Sequence, residues 1–212
     1  MSRLIFFLLI CVAFSGCSST SSNANKAKNA PSPTTSSAEA RAAMTPAPIA
    51  IDPNADSIYT ELSDKICKGR TPEPDSGAIY AADCPGTAGY KVYFSASDHS
   101  QLLSLTDPAG RETNLPFPRI VSSAAGFVLG DKIEWRMDSK NKDAKPYALI
   151  VRINKFIDPE DFNKTEKYLA VVNLRSDRPC VTDLVPGSTD QNLKARQLAD
   201  VKDRECIPVE RP

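Results

Sequence analysis

Six cysteines and one histidine are the residues of this 212-residue chain best suited to metal, redox or nucleophilic chemistry. Their spacings argue against most of it. A structural zinc site needs paired ligands such as C-x2-C, and a dithiol redox centre needs C-x-x-C; neither spacing occurs. His99 sits in "SASDHSQL" beside Ser97, Asp98 and Ser100. A Ser-His-Asp triad needs three side chains converging on one point, whereas neighbours along a strand or turn point apart, so the stretch is read as a polar turn. No G-x-S-x-G elbow is present to raise a serine nucleophile. "DPEDFNKTE" (158–166) gathers Asp158, Glu160, Asp161 and Glu166, yet it lacks the central glycine of a calcium loop and Pro159 interrupts it. It is read as a solvated loop. The expected catalytic set, metal site and cofactor are therefore none. Asn163-Lys-Thr165 matches a glycosylation sequon, to which no role is assigned. A carboxylate pair for glycoside cleavage cannot be located without geometry.

Cys11 and Cys17 differ from the other four cysteines in their surroundings. Leu4 to Phe14 is an unbroken apolar run behind Arg3. As a helix it would rise about 16 Å, roughly half the thickness of a bilayer core. A basic start, a short apolar middle and small residues after it make a secretory signal peptide. A buried core helix fits less well, because nothing globular follows for some forty residues.

The stretch "FSGC", residues 14–17, resembles the lipobox of bacterial lipoproteins. There a small residue precedes the cysteine that becomes the first residue of the mature chain. Ser15 and Gly16 fit; Phe14 stands where that family usually has Leu, Val or Ile. The resemblance implies a thioether between the Cys17 sulfur and diacylglycerol, with the new amine acylated as well. Several acyl chains on one residue anchor stably, at about 0.8 kcal/mol per buried methylene. Ser18, in place of Asp, implies the outer membrane. A soluble secreted protein is the alternative. Residues 1–16 are thus assigned to the signal peptide.

Residues 17–55 read as a tether. Half of residues 18–37 are Ser or Thr, and no aromatic residue lies between Phe14 and Tyr59. Such a segment buries too little apolar surface to offset its ordering entropy. A disordered linker of this length spans about 35 Å on average.

Residues 56–212 then form one exported domain, large enough for its own core. Lys and Arg number 26, as do Asp and Glu. A balanced charge offers no footprint for nucleic acid. Cys67, Cys84, Cys180 and Cys206 make an even set, read as two disulfides. Three connectivities are open; closeness in sequence favours Cys67–Cys84 and Cys180–Cys206. In the chain-entropy model each is worth about 3 kcal/mol.

The disulfides would staple a mainly β domain. Ile133, Trp135 and Met137 alternate with Lys132, Glu134 and Arg136, the pattern of a half-buried strand. Tyr90, Val92 and Phe94 alternate likewise. Leu102–Thr106 and Arg111–Leu115 flank "DPAG", a hairpin turn with Pro108 and Gly110. Tyr147–Ile153 and Tyr168–Leu174 are denser and read as central strands, separated from Lys132–Met137 by a charged loop at 138–146. Ile58–Ile66 suits helix or strand. Ser188 to Gln191 has a capping-box pattern opening a helix with Ala195, Leu198, Ala199 and Val201 on one face, to about Asp203. The expected fold is an antiparallel β-sandwich or open barrel with a C-terminal helix.

"SGAIY", Ser76–Tyr80, is similar to the S-G-x-x-Y stretch of the small periplasmic inhibitors of C-type lysozyme. The resemblance implies inhibitor-type contacts by Ser76 and Tyr80. That family's second motif, a Trp followed by Lys-Gly, is replaced here by Trp135-Arg136-Met137. The domain as a whole, through "ADCPGTAGY", "KIEWRM", "ALIVRINKF" and "CVTDLV", resembles small exported bacterial proteins of no assigned activity. Taken together, a non-enzymatic, lipid-anchored envelope module is expected. Its partner would be an envelope protein or peptidoglycan, with the membrane reached through the N-terminal lipid. A lysozyme inhibitor and an envelope hydrolase are the alternatives.

The intact mass of protein extracted from membranes should start at Cys17 with acyl chains, and four thiols should appear only after reduction. A mass that retains residues 1–16 contradicts the anchor.

Overall fold

Alternating apolar and polar residues become strands along most of the domain. The computed structural model describes residues 55–98, 100–121, 123–138, 144–175 and 178–209. The chain divides into two units, Met1–Thr45 and Pro46–Pro212, and every described residue lies in the second. The signal peptide, Cys17, nearly all of the tether, His99 and most of the 138–146 loop lie outside the described residues.

The strands are β1 (Ala55–Glu61), β2 (Lys68–Arg70), β3 (Tyr80–Cys84), β4 (Lys91–Ala96), β5 (Gln101–Thr106) and β6 (Glu112–Asn114). After a short helix α1 (Phe117–Val121) come β7 (Phe127–Asp138), β8 (Pro146–Phe156), β9 (Thr165–Asn173) and β10 (Cys180–Pro186). The helix α2 (Gln191–Asp200) follows. One antiparallel sheet has the order β1-β7-β8-β9-β10 and the other β2-β3-β4-β5-β6. The ambiguous 58–66 segment resolves as strand to Glu61 and then a turn, closed by the Cys67 amide donating to the Ser63 carbonyl at 2.8 Å.

Between the sheets lies one core. Val92, Leu103, Leu105 and Leu115 from the second sheet meet Ile133, Trp135, Leu149, Val151 and Val172 from the first. The fold is therefore a β-sandwich. Trp135 is wholly buried; its indole N–H donates to Thr60 Oγ1 at 2.9 Å, and its ring lies 5.7 Å from that of Tyr90. Both expected disulfides are present. Cys67–Cys84 ties the crossover between sheets to β3, and Cys180–Cys206 holds the C-terminal segment along β10. The Ile207 amide donates to the Val181 carbonyl on that edge.

Two expectations need correction. The Lys132–Met137 strand is not half-buried: Glu134 and Arg136 are covered as well, because α2 packs on the outer face of the first sheet. The capping box does not form either. Asp190 is the N-cap without a side-chain cap bond; Ser188 Oγ donates to Asp190, and Gln191 turns inward to donate to the Val185 carbonyl at 2.8 Å. The helix ends at Asp200, three residues before the expected limit, with Val201 in extended conformation.

Bulges set the register of the first sheet. Leu129 pairs with Ile153 but Ile133 pairs with Val151, so β7 carries extra residues opposite Arg152. Gly130 lies in that excess, and a Cβ there would sit 2.8 Å from the Cβ of Arg152. Gly130→Ala should therefore destabilise the domain by about 1–3 kcal/mol. The midpoint of urea unfolding checks this, and an unchanged midpoint would show that the bulge has room.

Candidate functional site

Two parts of the molecule concentrate polar and charged side chains. They differ in whether those side chains are already engaged.

The first lies between α2 and the outer face of the first sheet. On β7, Glu134 and Arg136 project to this face by strand alternation. The Arg136 guanidinium donates to the Asp200 carboxylate at 2.9 to 3.1 Å and to Ser57 Oγ at 2.7 Å. Ser57 Oγ in turn donates to Glu134 at 2.6 Å. Arg196 on α2 donates to Glu134 at 2.7 Å and to the Tyr59 hydroxyl at 2.8 Å. The Tyr147 hydroxyl donates to Asp200 at 2.7 Å. Tyr147 can do so because of a second bulge: Arg136 pairs with Ala148 and Met137 with Pro146, which leaves Tyr147 unpaired in the ladder. The Arg175 guanidinium stacks 4.1 Å from the centre of the Tyr147 ring and donates to the Ala199 and Val201 carbonyls at the end of α2.

The side chains of Arg136 and Asp200 are each 4% exposed. Burial alone would raise the Glu134 carboxyl, but hydrogen bonds from Arg196 and Ser57 outweigh it and hold its pKa below the ordinary value. Burial, with the hydrogen bond to Asp200, pushes the Tyr147 phenol well above its ordinary range. Among the described residues, no buried side-chain polar atom lacks a partner. This network joins helix to sheet and turns its strongest groups toward one another.

The second part is the outer face of the other sheet. No described element packs on it: α2 lies on the first sheet, and α1 directs Phe117 and Val121 into the core. In β4, Val92 points inward, so Lys91, Tyr93 and Ser95 point outward. The ladder register places Lys91 opposite Thr106, and Thr106 opposite Glu112. It places Asp83 beside Tyr93, and Tyr93 beside Ser104. The result is a groove of about 560 Å³ whose lining includes Arg70, Glu73, Asp83, Lys91, Tyr93 and Glu112. That volume falls within the range of small-molecule sites.

Charge in the groove is partly closed. Arg70 forms ion pairs with Glu73 and with Asp83, and its guanidinium lies 4.8 Å from the centre of the Tyr93 ring. Burial would lower the Arg70 pKa, but the charge and hydrogen bond of Asp83 raise it on balance. Lys91 and Glu112 form no ion pair among the described residues, and the Tyr93 hydroxyl donates no hydrogen bond there.

The residues expected from sequence lie elsewhere. Ser76 sits in a turn flanked by Asp75 and Gly77, both with positive φ, and its hydroxyl donates to the Glu73 carbonyl at 2.7 Å. Tyr80 opens β3 with its ring edge-on to Phe94 at 6.2 Å. Burial, with a hydrogen bond to Asp64, raises its phenol. Ser97 and Ser100 hydrogen-bond to each other. In the 158–166 loop, Asp158 accepts from the Glu160 amide and from Lys164, and Asp161 accepts from the Asn163 amide. Those carboxylates stabilise the loop. Sequence reasoning missed the groove. One signal was available: in "KVYFSA", Tyr93 is an aromatic residue on the polar phase of the alternation.

No family model matches the chain, and no curated protein or solved structure matches it.

Because the Glu134 pKa is lower folded than unfolded, the stability it contributes is complete above the unfolded value of about 4.3 and is lost as pH falls through the folded value. Asp107, Asp158 and Asp190 are held low as well and add to the same slope. Urea midpoints with disulfides intact should fall as pH drops below about 4.5, and Glu134→Gln should flatten that decline. Parallel decline in both proteins would mean that Glu134 contributes nothing to it.

Proposed function

We propose that the chain is an envelope-anchored lipoprotein whose β-sandwich is a binding module, tethered through Cys17 and the linker and exposing the second sheet to its partner. The observation that carries this reading is the asymmetry of the two sheets. One outer face is closed by α2 and a satisfied ion network. The other is uncovered among the described residues, is grooved, and holds Tyr93 beside Lys91 and Glu112, which form no ion pair among those residues. A face with those features is a recognition surface more than a core waiting for solvent. The two disulfides suit an oxidising compartment, as an exported protein requires. A non-catalytic role is supported by the engagement of the ionisable groups with shifted pKa: Glu134 and Tyr147 bond to Arg196, Ser57 and Asp200, and Arg70 in the groove pairs with Asp83 and Glu73.

The partner is an envelope protein or peptidoglycan. A photoreactive benzophenone side chain at position 93 of the full-length chain, in the cells that make it, should yield a heavier adduct on irradiation. The same side chain at position 193, exposed on α2, should not. Collapse of the adduct with protease identifies a protein partner; collapse with a muramidase identifies peptidoglycan. Equal adducts at both positions, or none at 93, would overturn the assignment of this face.

A further inference from the structure

We propose that the groove on the second sheet binds a short peptide with free termini, its carboxylate at Lys91 and its ammonium at Glu112. This rests on the reading of that face as a binding surface and names the chemistry it recognises.

The argument begins with register. Lys91, Thr106 and Glu112 occupy one row across β4, β5 and β6. Neighbouring strands lie about 4.8 Å apart, so the backbones of Lys91 and Glu112 are separated by about 10 Å. An extended peptide advances about 3.3 Å per residue, so two or three residues bridge that distance between a positive and a negative side chain. Thr106, at the midpoint, offers a hydroxyl that both donates and accepts, as a peptide bond requires. Tyr93 lines the same groove.

Charge then selects the ligand class. Arg70 is already held by Glu73 and Asp83. The groove carries two positive and three negative side chains; Lys91 and Glu112, on opposite sides of Thr106, are the two that form no ion pair among the described residues. A purely anionic ligand would meet Glu73, Asp83 and Glu112 together. A purely cationic one would meet Lys91 and Arg70. A neutral sugar would hydrogen-bond both side chains but neutralise neither charge. A molecule carrying both signs at this spacing compensates each.

Trialanine is the probe, with N-acetyl-trialanine amide as the blocked control, measured by saturation-transfer NMR on the full chain in detergent micelles. Trialanine should bind. The blocked peptide should bind at least about tenfold more weakly, and Lys91→Gln and Glu112→Gln should each weaken trialanine by about tenfold, since each removes a charge-assisted hydrogen bond. Both residues are exposed, so the melting temperature of each variant should match the parent. No binding of trialanine, equal binding of the blocked peptide, or binding unaffected by both substitutions would overturn the proposal. If position 93 still crosslinks in the envelope while trialanine fails to bind, the face is a recognition surface of different chemistry and only the peptide assignment falls. If both fail, the reading of the face falls with it.

Discussion

The ion pair between Arg136 and Asp200 is the constraint on which the shape of this domain depends. Both side chains are removed from water, and neither charge is tolerable there alone. Their pairing requires α2 to lie across β7 and β8, with Asp200 in its last turn. Once the helix is there, Ala195 and Ala199 bury against Ala148, Ile150 and Val171, and a second small core forms on the outside of the first sheet. Arg175 then closes the helix end by bonding its last carbonyls. The pair adds little net energy over apolar residues of equal size, but it fixes where the helix must sit.

That placement makes the sandwich asymmetric. A sheet with α2 over its outer face can bury residues on both sides, which is why β8 and β9 read as dense runs. Among the described residues, nothing covers the second sheet in this way. Its inward positions are apolar and its outward ones small or polar, as expected for a one-sided sheet. Its short edge strands, β2 and β6, limit pairing with other chains. What it presents instead is the groove, bounded by Arg70, Asp83, Lys91, Tyr93 and Glu112.

The two disulfides act where the chain leaves a sheet. One fastens the crossover after β1, where the chain leaves the first sheet. The other fastens the segment after α2 to the β10 edge. Loop-closing bonds at such sites restrict the unfolded chain and the local openings that would free the helix.

Much of the framework was legible in the sequence because its causes are local. Period-two alternation in Lys132–Met137 and in Tyr90–Phe94, the "DPAG" hairpin turn and the short separations between cysteines each depend on neighbours along the chain. What only the tertiary structure decided depends on residues far apart. Glu134 and Arg136 look like solvent positions until α2 covers them. Tyr147 shares the phase of the inward Leu149 and Val151, and only an unpaired residue opposite β7 sends its hydroxyl to Asp200. Ser188 and Gln191 fit a capping box locally, yet Gln191 bonds instead to a carbonyl of β10. Lys91 and Glu112 are twenty-one positions apart and become one charged row only through the register of three strands. Alternation tells which side a residue takes relative to its own strand; register, bulges and the helix laid across the sheet decide what it meets there.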